Sequence, residues 1–291
     1  MKHFSSLFLF IALANSSFAA FQLNDSITKD STKAEKHRKL KISLDYSSDN
    51  TFKGRKDSLN IPILTPFIKY TDKSGFFAQA ALYNTPQQKK VTKIFDELDA
   101  GVGWIFDFSR KWDGAVSYSH YFYDPKIARI KSSVQNDFNA KLNYDWDVLY
   151  NELIFDLNVA SAKYNTKKKI QKKFIDYSVT LVSMHDFDVY LNKDSTSKLT
   201  ISPEVDLLFG TQNFLANYKK KTDGSNIKYQ KQASTFNLTA YILCLNISYK
   251  IKKITAYLSP YYTIPQNTPN GESASPYFIM SASIYYTFKS R

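Results

Sequence analysis

Pro276-Tyr-Phe-Ile-Met-Ser-Ala-Ser-Ile-Tyr-Tyr-Thr-Phe288 lies almost at the end of the chain. Taken two residues at a time it splits into two lists. Phe278, Met280, Ala282, Ile284, Tyr286 and Phe288 fall on one side; Ile279, Ser281, Ser283, Tyr285 and Thr287 fall on the other. Successive side chains of a strand point to opposite faces, so one face is greasy and the other mostly small or hydroxylated. A strand with lipid on one side and a polar interior on the other has this pattern. A half-buried strand of a soluble sheet also has it. The repetition of the pattern along the chain separates the two.

Working back from this stretch, period-two segments recur at 40–47, 61–70, 76–84, 97–108, 115–123, 136–145, 148–161, 174–190, 198–210, 234–249 and 254–262. With 276–288 they make twelve expected strands; ten or fourteen follow if 174–190 or 234–249 is divided differently. Leu40, Ile42, Leu44 and Tyr46 alternate with Lys41, Ser43, Asp45 and Ser47. Gly101 and Gly103 lie on the polar side of 97–108, where they reduce bulk opposite another side chain. The connections after every second segment are short, and the others are longer and more polar. An even strand number with this asymmetry predicts an all-β fold: a transmembrane antiparallel up-and-down β-barrel of twelve strands over 40–291. Such a barrel pairs every backbone group without an edge, as hydrocarbon demands. Tyr70, Tyr83, Trp112, Tyr123, Trp146, Tyr190, Tyr262, Tyr285 and Tyr286 fall near strand ends, where interfacial girdles would place them.

The other end of the chain reads as an export signal over 1–19. Lys2 and His3 precede the apolar run Leu7–Ala14, and Ser17-Phe18-Ala19 supplies small residues for cleavage after Ala19. Residues 20–39 are polar and aperiodic, a flexible periplasmic lead-in. Cys244 is the one cysteine, so there is no disulfide framework. The formal net charge of +13 comes from lysines clustered at 89–90, 167–169 with 172–173, 219–221 and 252–253. They lie between the apolar segments. Solvated loops beside an anionic outer leaflet explain them better than nucleic acid does.

With the signal, the repeated amphipathic strands and Phe288 on the page, the chain resembles Gram-negative outer-membrane β-barrel proteins. Three residues follow Phe288, a departure from a strictly terminal aromatic. The low glycine content and Gly75–Thr85, GFFAQAALYNT, are also similar to uncharacterised Bacteroidota-type barrels. The resemblance implies outer-membrane localisation after signal cleavage and recognition of the last strand by the barrel-assembly machinery. It also implies contact with outer-membrane lipids and lipopolysaccharide. A monomer is the expected state.

Inward phase is predicted for Asp107, Lys141, Asp145, Glu152, Asp156, Asp176, Glu204 and Asp206, because the lipid face penalises charge. Such a set either tunes passage through a lumen or fills it with an ion-pair network. The histidines do not build a catalytic site. Ser119 adjoins His120 but points to the opposite face, and His185 has no serine and carboxylate at a defensible spacing. No cofactor and no metal cluster is expected. The functional expectation is a narrow passive, porin-like channel or a structural barrel of the envelope. The alternatives are a surface adhesin using lysine-rich loops and a lipid-modifying hydrolase or acyltransferase.

Overall fold

The structure, a computed structural model, describes residues 38–57, 60, 62–84, 95–123, 134–162, 172–192, 197–218, 232–270 and 272–290. The expected signal peptide, the lead-in up to residue 37 and the lysine clusters at 89–90, 167–169 and 219–221 lie outside them.

Among the described residues fifteen strands are formed: β1 Lys39–Ser47, β2 Thr51–Phe52, β3 Arg55–Lys56, β4 Ile63–Thr71, β5 Phe76–Tyr83, β6 Glu97–Asp107, β7 Trp112–Tyr123, β8 Val134–Asp145, β9 Tyr150–Ala162, β10 Lys172–Met184, β11 Phe187–Tyr190, β12 Ser197–Gly210, β13 Asn237–Ile251, β14 Ile254–Pro265 and β15 Tyr277–Lys289. A short helix, α1, spans Asn213–Tyr218. β1 pairs with β4, and from β4 to β10 each strand pairs antiparallel with the next. β10 pairs with β12, and β12 to β15 continue the ladder. β15 returns to β1 with Lys39 opposite Lys289 and Ser47 opposite Ser281. That last ladder closes a twelve-stranded barrel with both chain ends on one side, as the alternation predicts. The short β11 lies on β12 at the lower end of the wall.

Exposure is inverted relative to a soluble protein. Trp104, Ile175, Phe278 and Ile284 are 56, 55, 54 and 53% exposed, whereas Asp99, Asn158 and Asp176 are 2, 2 and 0% exposed. Apolar side chains therefore form the outer band and polar ones the interior, as a bilayer requires. The closing strand follows this rule. Phe278 and Ile284 face out, Ile279 and Ser281 are buried, and the Tyr285 ring lies under Lys41 Nζ at 4.3 Å. At Gly103, an added Cβ would come within 2.4 Å of the Phe77 ring, so the residue leaves room for that inward ring.

The turns at the chain-end side are short. β13 and β14 are joined by Lys252-Lys253 alone, with Lys252 at φ 55°. The rim on that side carries packed aromatics: Trp112 tilted on Tyr144 at 4.5 Å and Tyr144 edge-on to Trp146 at 4.6 Å between centroids. The Ser74 N–H donates to the Asp72 carboxylate in the β4–β5 turn and holds that acid below the usual carboxylate range. Arg38 lies 3.1 Å away from the same carboxylate.

Three details differ from the sequence reading. The expected strand 174–190 ends at Met184, and Phe187–Tyr190 pairs separately with β12. Tyr83, Tyr123 and Tyr285 do not join an interfacial girdle: Tyr83 is buried in an apolar cluster inside the barrel, Tyr123 packs against that cluster, and Tyr285 faces the lumen under Lys41. The polar loop after β1 contains the two-stranded hairpin β2–β3.

Candidate functional site

The hairpin is the main feature of the lumen. Lys53 and Gly54 form its tip, at φ 48° and 72°, both in the left-handed region that a two-residue turn uses. Thr51 pairs with Lys56 and Phe52 with Arg55, and neither strand pairs with the barrel wall. The hairpin leaves the upper end of β1 and crosses the interior. An added Cβ on Gly54 would come 2.5 Å from Ala240 Cβ, so the tip touches β13, three strands round the wall from β1.

Polar contacts hold it there. Lys53 Nζ donates to Ser178 Oγ and lies 3.9 Å from Asp156 Oδ2. Arg55 donates from Nε to Gln212 Oε1 and from Nη2 to the Gln266 carbonyl, each at 2.7 Å. Thr51 Oγ1 lies 3.4 Å from Tyr261 OH. Lys56 pairs with Asp49 at 2.7 Å within the same loop. Lys53 and Arg55 are almost fully buried, and such charges require partners.

A second plug element meets the hairpin. Helix α1 folds back over the lumen because Asp176 captures its first turn. The Asp176 carboxylate accepts from Thr211 Oγ1 at 2.7 Å, Asn213 N at 2.6 Å and Phe214 N at 2.8 Å. Phe214 then meets Phe52 edge-on at 4.9 Å between centroids. Around this pair Ile63, Phe67, Tyr83, Tyr121, Val134 and Leu215 complete an apolar cluster, with Tyr123 and Phe174 packed against it. The upper lumen is therefore filled by side chains. Thr65, Asp99, Ser119 and Asn158 on the wall are 1 to 2% exposed, so water does not reach them.

The eight charged residues singled out from the sequence fall into separate groups. Lys141 Nζ is ion-paired with Glu152. Asp156 accepts from Asn139 Nδ2 at 2.8 Å and Ser178 Oγ at 3.1 Å and serves the hairpin. Asp176 serves the helix. Glu204 accepts from Asn246 Nδ2 at 2.9 Å, and Asp206 is buried two residues along the same strand. Asp145 accepts from the Asp147 N–H at 2.7 Å in the β8–β9 turn, and Asp107 is exposed at the lower end of β6.

Sequence reasoning missed Lys53, Arg55, Asp137, Lys41 and Lys69. Tyr121 OH donates to Asp137 at 3.1 Å, and Asn158 Nδ2 donates to the same carboxylate. Lys69 Nζ lies 4.2 Å over the Phe77 ring. The alternation that selected the other eight also reaches Asp137, Lys41 and Lys69. Nothing in it reaches the hairpin.

The histidines sit apart. His120 Nδ1 is 2.9 Å from Asn136 Oδ1 and its ring packs on Phe122, while Ser119 is buried on the opposite face. His185 contacts the Val148 carbonyl at the lower rim. Among the described residues no group of three His, Cys, Asp or Glu could hold a metal.

The sequence matches no family model and no curated protein. Several solved structures are similar to the chain. A KdgM porin shares 11% identity at TM-score 0.49, over 85% of this chain and 99% of that one. An outer-membrane channel from Pseudomonas putida F1 shares 8% at TM-score 0.47, over 90% and 99%. The translocator domain of the autotransporter NalP from Neisseria meningitidis shares 11% at TM-score 0.45, over 93% and 96%. The closed ladder from β1 round to β15 defines the barrel without them.

Proposed function

We propose that the protein is a narrow channel of a Gram-negative outer membrane, closed at its outer end by the Thr51–Lys56 hairpin. One observation carries this reading. The hairpin is seated across the lumen but shares no strand ladder with the wall. Its polar grips, through Lys53, Arg55 and Thr51, are bonds that water can replace when the hairpin moves. A permanently solid interior would need no separate, self-paired element.

The proposal includes export with cleavage after Ala19, recognition of the Phe288-ended strand by the barrel-assembly machinery, a monomeric state and lipopolysaccharide beside the lysine-bearing loops. An origin among Bacteroidota-type bacteria is its finest part, supported by the low glycine content and the Gly75–Thr85 segment.

Single-channel recording tests the reading. The refolded wild type is expected to stay closed or open briefly. A variant with Ser48–Asp57 replaced by a short turn is expected to conduct steadily. A folded deletion variant that passes no current would make this a structural barrel instead.

A further inference from the structure

We infer that the lumen, once the hairpin leaves it, passes small inorganic cations and holds back anions. The inference rests on the channel reading and adds its substrate class. Its basis is the sign of the wall that the hairpin covers. In the closed state Lys53 reaches across to the β9–β10 side of the lumen, and Arg55 bonds Gln212 beyond β12 and Gln266 beyond β14. On the β8–β10 side Asp137, Asp156 and Asp176 lie in two adjacent rows of the ladder. Asp137 is opposite Asn158, which is opposite Asp176; Asn139 is opposite Asp156, which is opposite Ser178. Withdrawal removes the two cations and leaves the three carboxylates on the wall.

Water then reaches the face of Asp156 that Lys53 covered, while Asp176 keeps its bonds to Thr211 and the first turn of α1 on the same wall. The lysines that share the lumen do not cancel this file. Lys141 is already paired with Glu152. Lys41 and Lys69 lie on the β1–β4 side, drawn over the rings of Tyr285 and Phe77. One sign therefore lines the constriction on the side the hairpin vacates. In a narrow low-dielectric passage such a row concentrates counter-ions and excludes co-ions. The chain as a whole is basic, so the lumen is selective against the sign of the molecule.

The test is the reversal potential of the Ser48–Asp57 deletion variant in a planar bilayer under an asymmetric KCl gradient, with folding verified by the shifted gel migration of an intact barrel. The expected result is K⁺ preferred over Cl⁻ by about fivefold or more. The preference should fall towards unity when Asp137→Asn, Asp156→Asn and Asp176→Asn are combined in the same deletion background. If the deletion does not fold, Gly54→Leu keeps the full chain and displaces only the tip, and its openings should show the same preference. Steady current with no preference, or with preference for Cl⁻, overturns the inference and leaves the channel reading standing. A folded barrel of either variant that carries no current overturns both.

Discussion

The two halves of the lumen are built from the same strands and differ in what fills them. In the upper half the wall side chains meet the hairpin and helix α1, and Thr65, Asp99, Asn158 and Asp176 are closed to water. Lower down, Lys41, Gln79, Ser117, Tyr257 and Tyr285 occupy the same inward phase and are half-exposed, while on the β8–β10 side Ile154, Val182 and Met184 form a buried apolar cluster beside the buried Glu152. The alternation of apolar and polar residues is equally good in both. What differs is that the Ser48–Asp57 loop and helix α1 turn inward at the upper end. The strand pattern therefore decides which face turns inward, and the inserted loop and helix decide how the upper end is filled.

Removing the loop is the strongest way to break this comparison. Deletion of Ser48–Asp57 should take the hairpin out of the upper half and turn a silent barrel into a steadily conducting one in bilayer recordings. The next largest effect is expected at the tip. Gly54→Leu places a side chain where Ala240 already sits and adds the cost of a left-handed backbone, on the order of 1 kcal/mol. The hairpin should lift, seen as frequent brief openings. Lys53→Met should act more gently. It leaves Asp156 with Asn139 and Ser178 but without its cation, a loss of about 1–3 kcal/mol that should raise opening frequency without abolishing closure. In the lower half, Ser117→Ala should change neither current nor unfolding midpoint, because no plug contact depends on it.

A small effect is expected outside the lumen, at Asp72. Its carboxylate is held down chiefly by the Ser74 N–H, with Arg38 adding to it. A depressed acid contributes stability that is present above its ordinary titration range and is lost as pH falls through its folded value. Asp72→Asn should therefore lower the unfolding midpoint slightly at neutral pH, and the difference from wild type should vanish in acid. The exposed site keeps the effect small.

Much of this architecture is legible in the sequence. Alternation places every face of β1 and β15 correctly, from Ile42 and Ile284 outward to Ser43 and Ser281 inward, because a strand has no other period. The same rule explains the failure at β10. Ile175, Tyr177, Val179 and Leu181 point outward, and Phe187 and Val189 beyond the break are also exposed with the same parity. Parity carries no trace of where the ladder stops. Tyr83 and Tyr123 defeat the girdle expectation because position near a strand end does not distinguish the lipid rim from an interior cluster. The hairpin is the least legible part. Its strands are two residues long, and its turn is Lys53-Gly54 rather than Asn-Gly or Asp-Gly. Its partners, from Asp156 and Ser178 to Gln212 and Gln266, lie far along the chain, so no local pattern announces them.

Water access at the point the hairpin covers tests the central claim most directly. Ser178 accepts from Lys53 and is buried. In a Cys244→Ser background, Ser178→Cys puts one nearly isosteric thiol under the tip. Its reaction with a water-soluble, membrane-impermeant maleimide can be followed in the refolded barrel with and without Ser48–Asp57. The account predicts a thiol that is protected with the hairpin present and labelled readily once it is removed. Equal labelling of both proteins would contradict it.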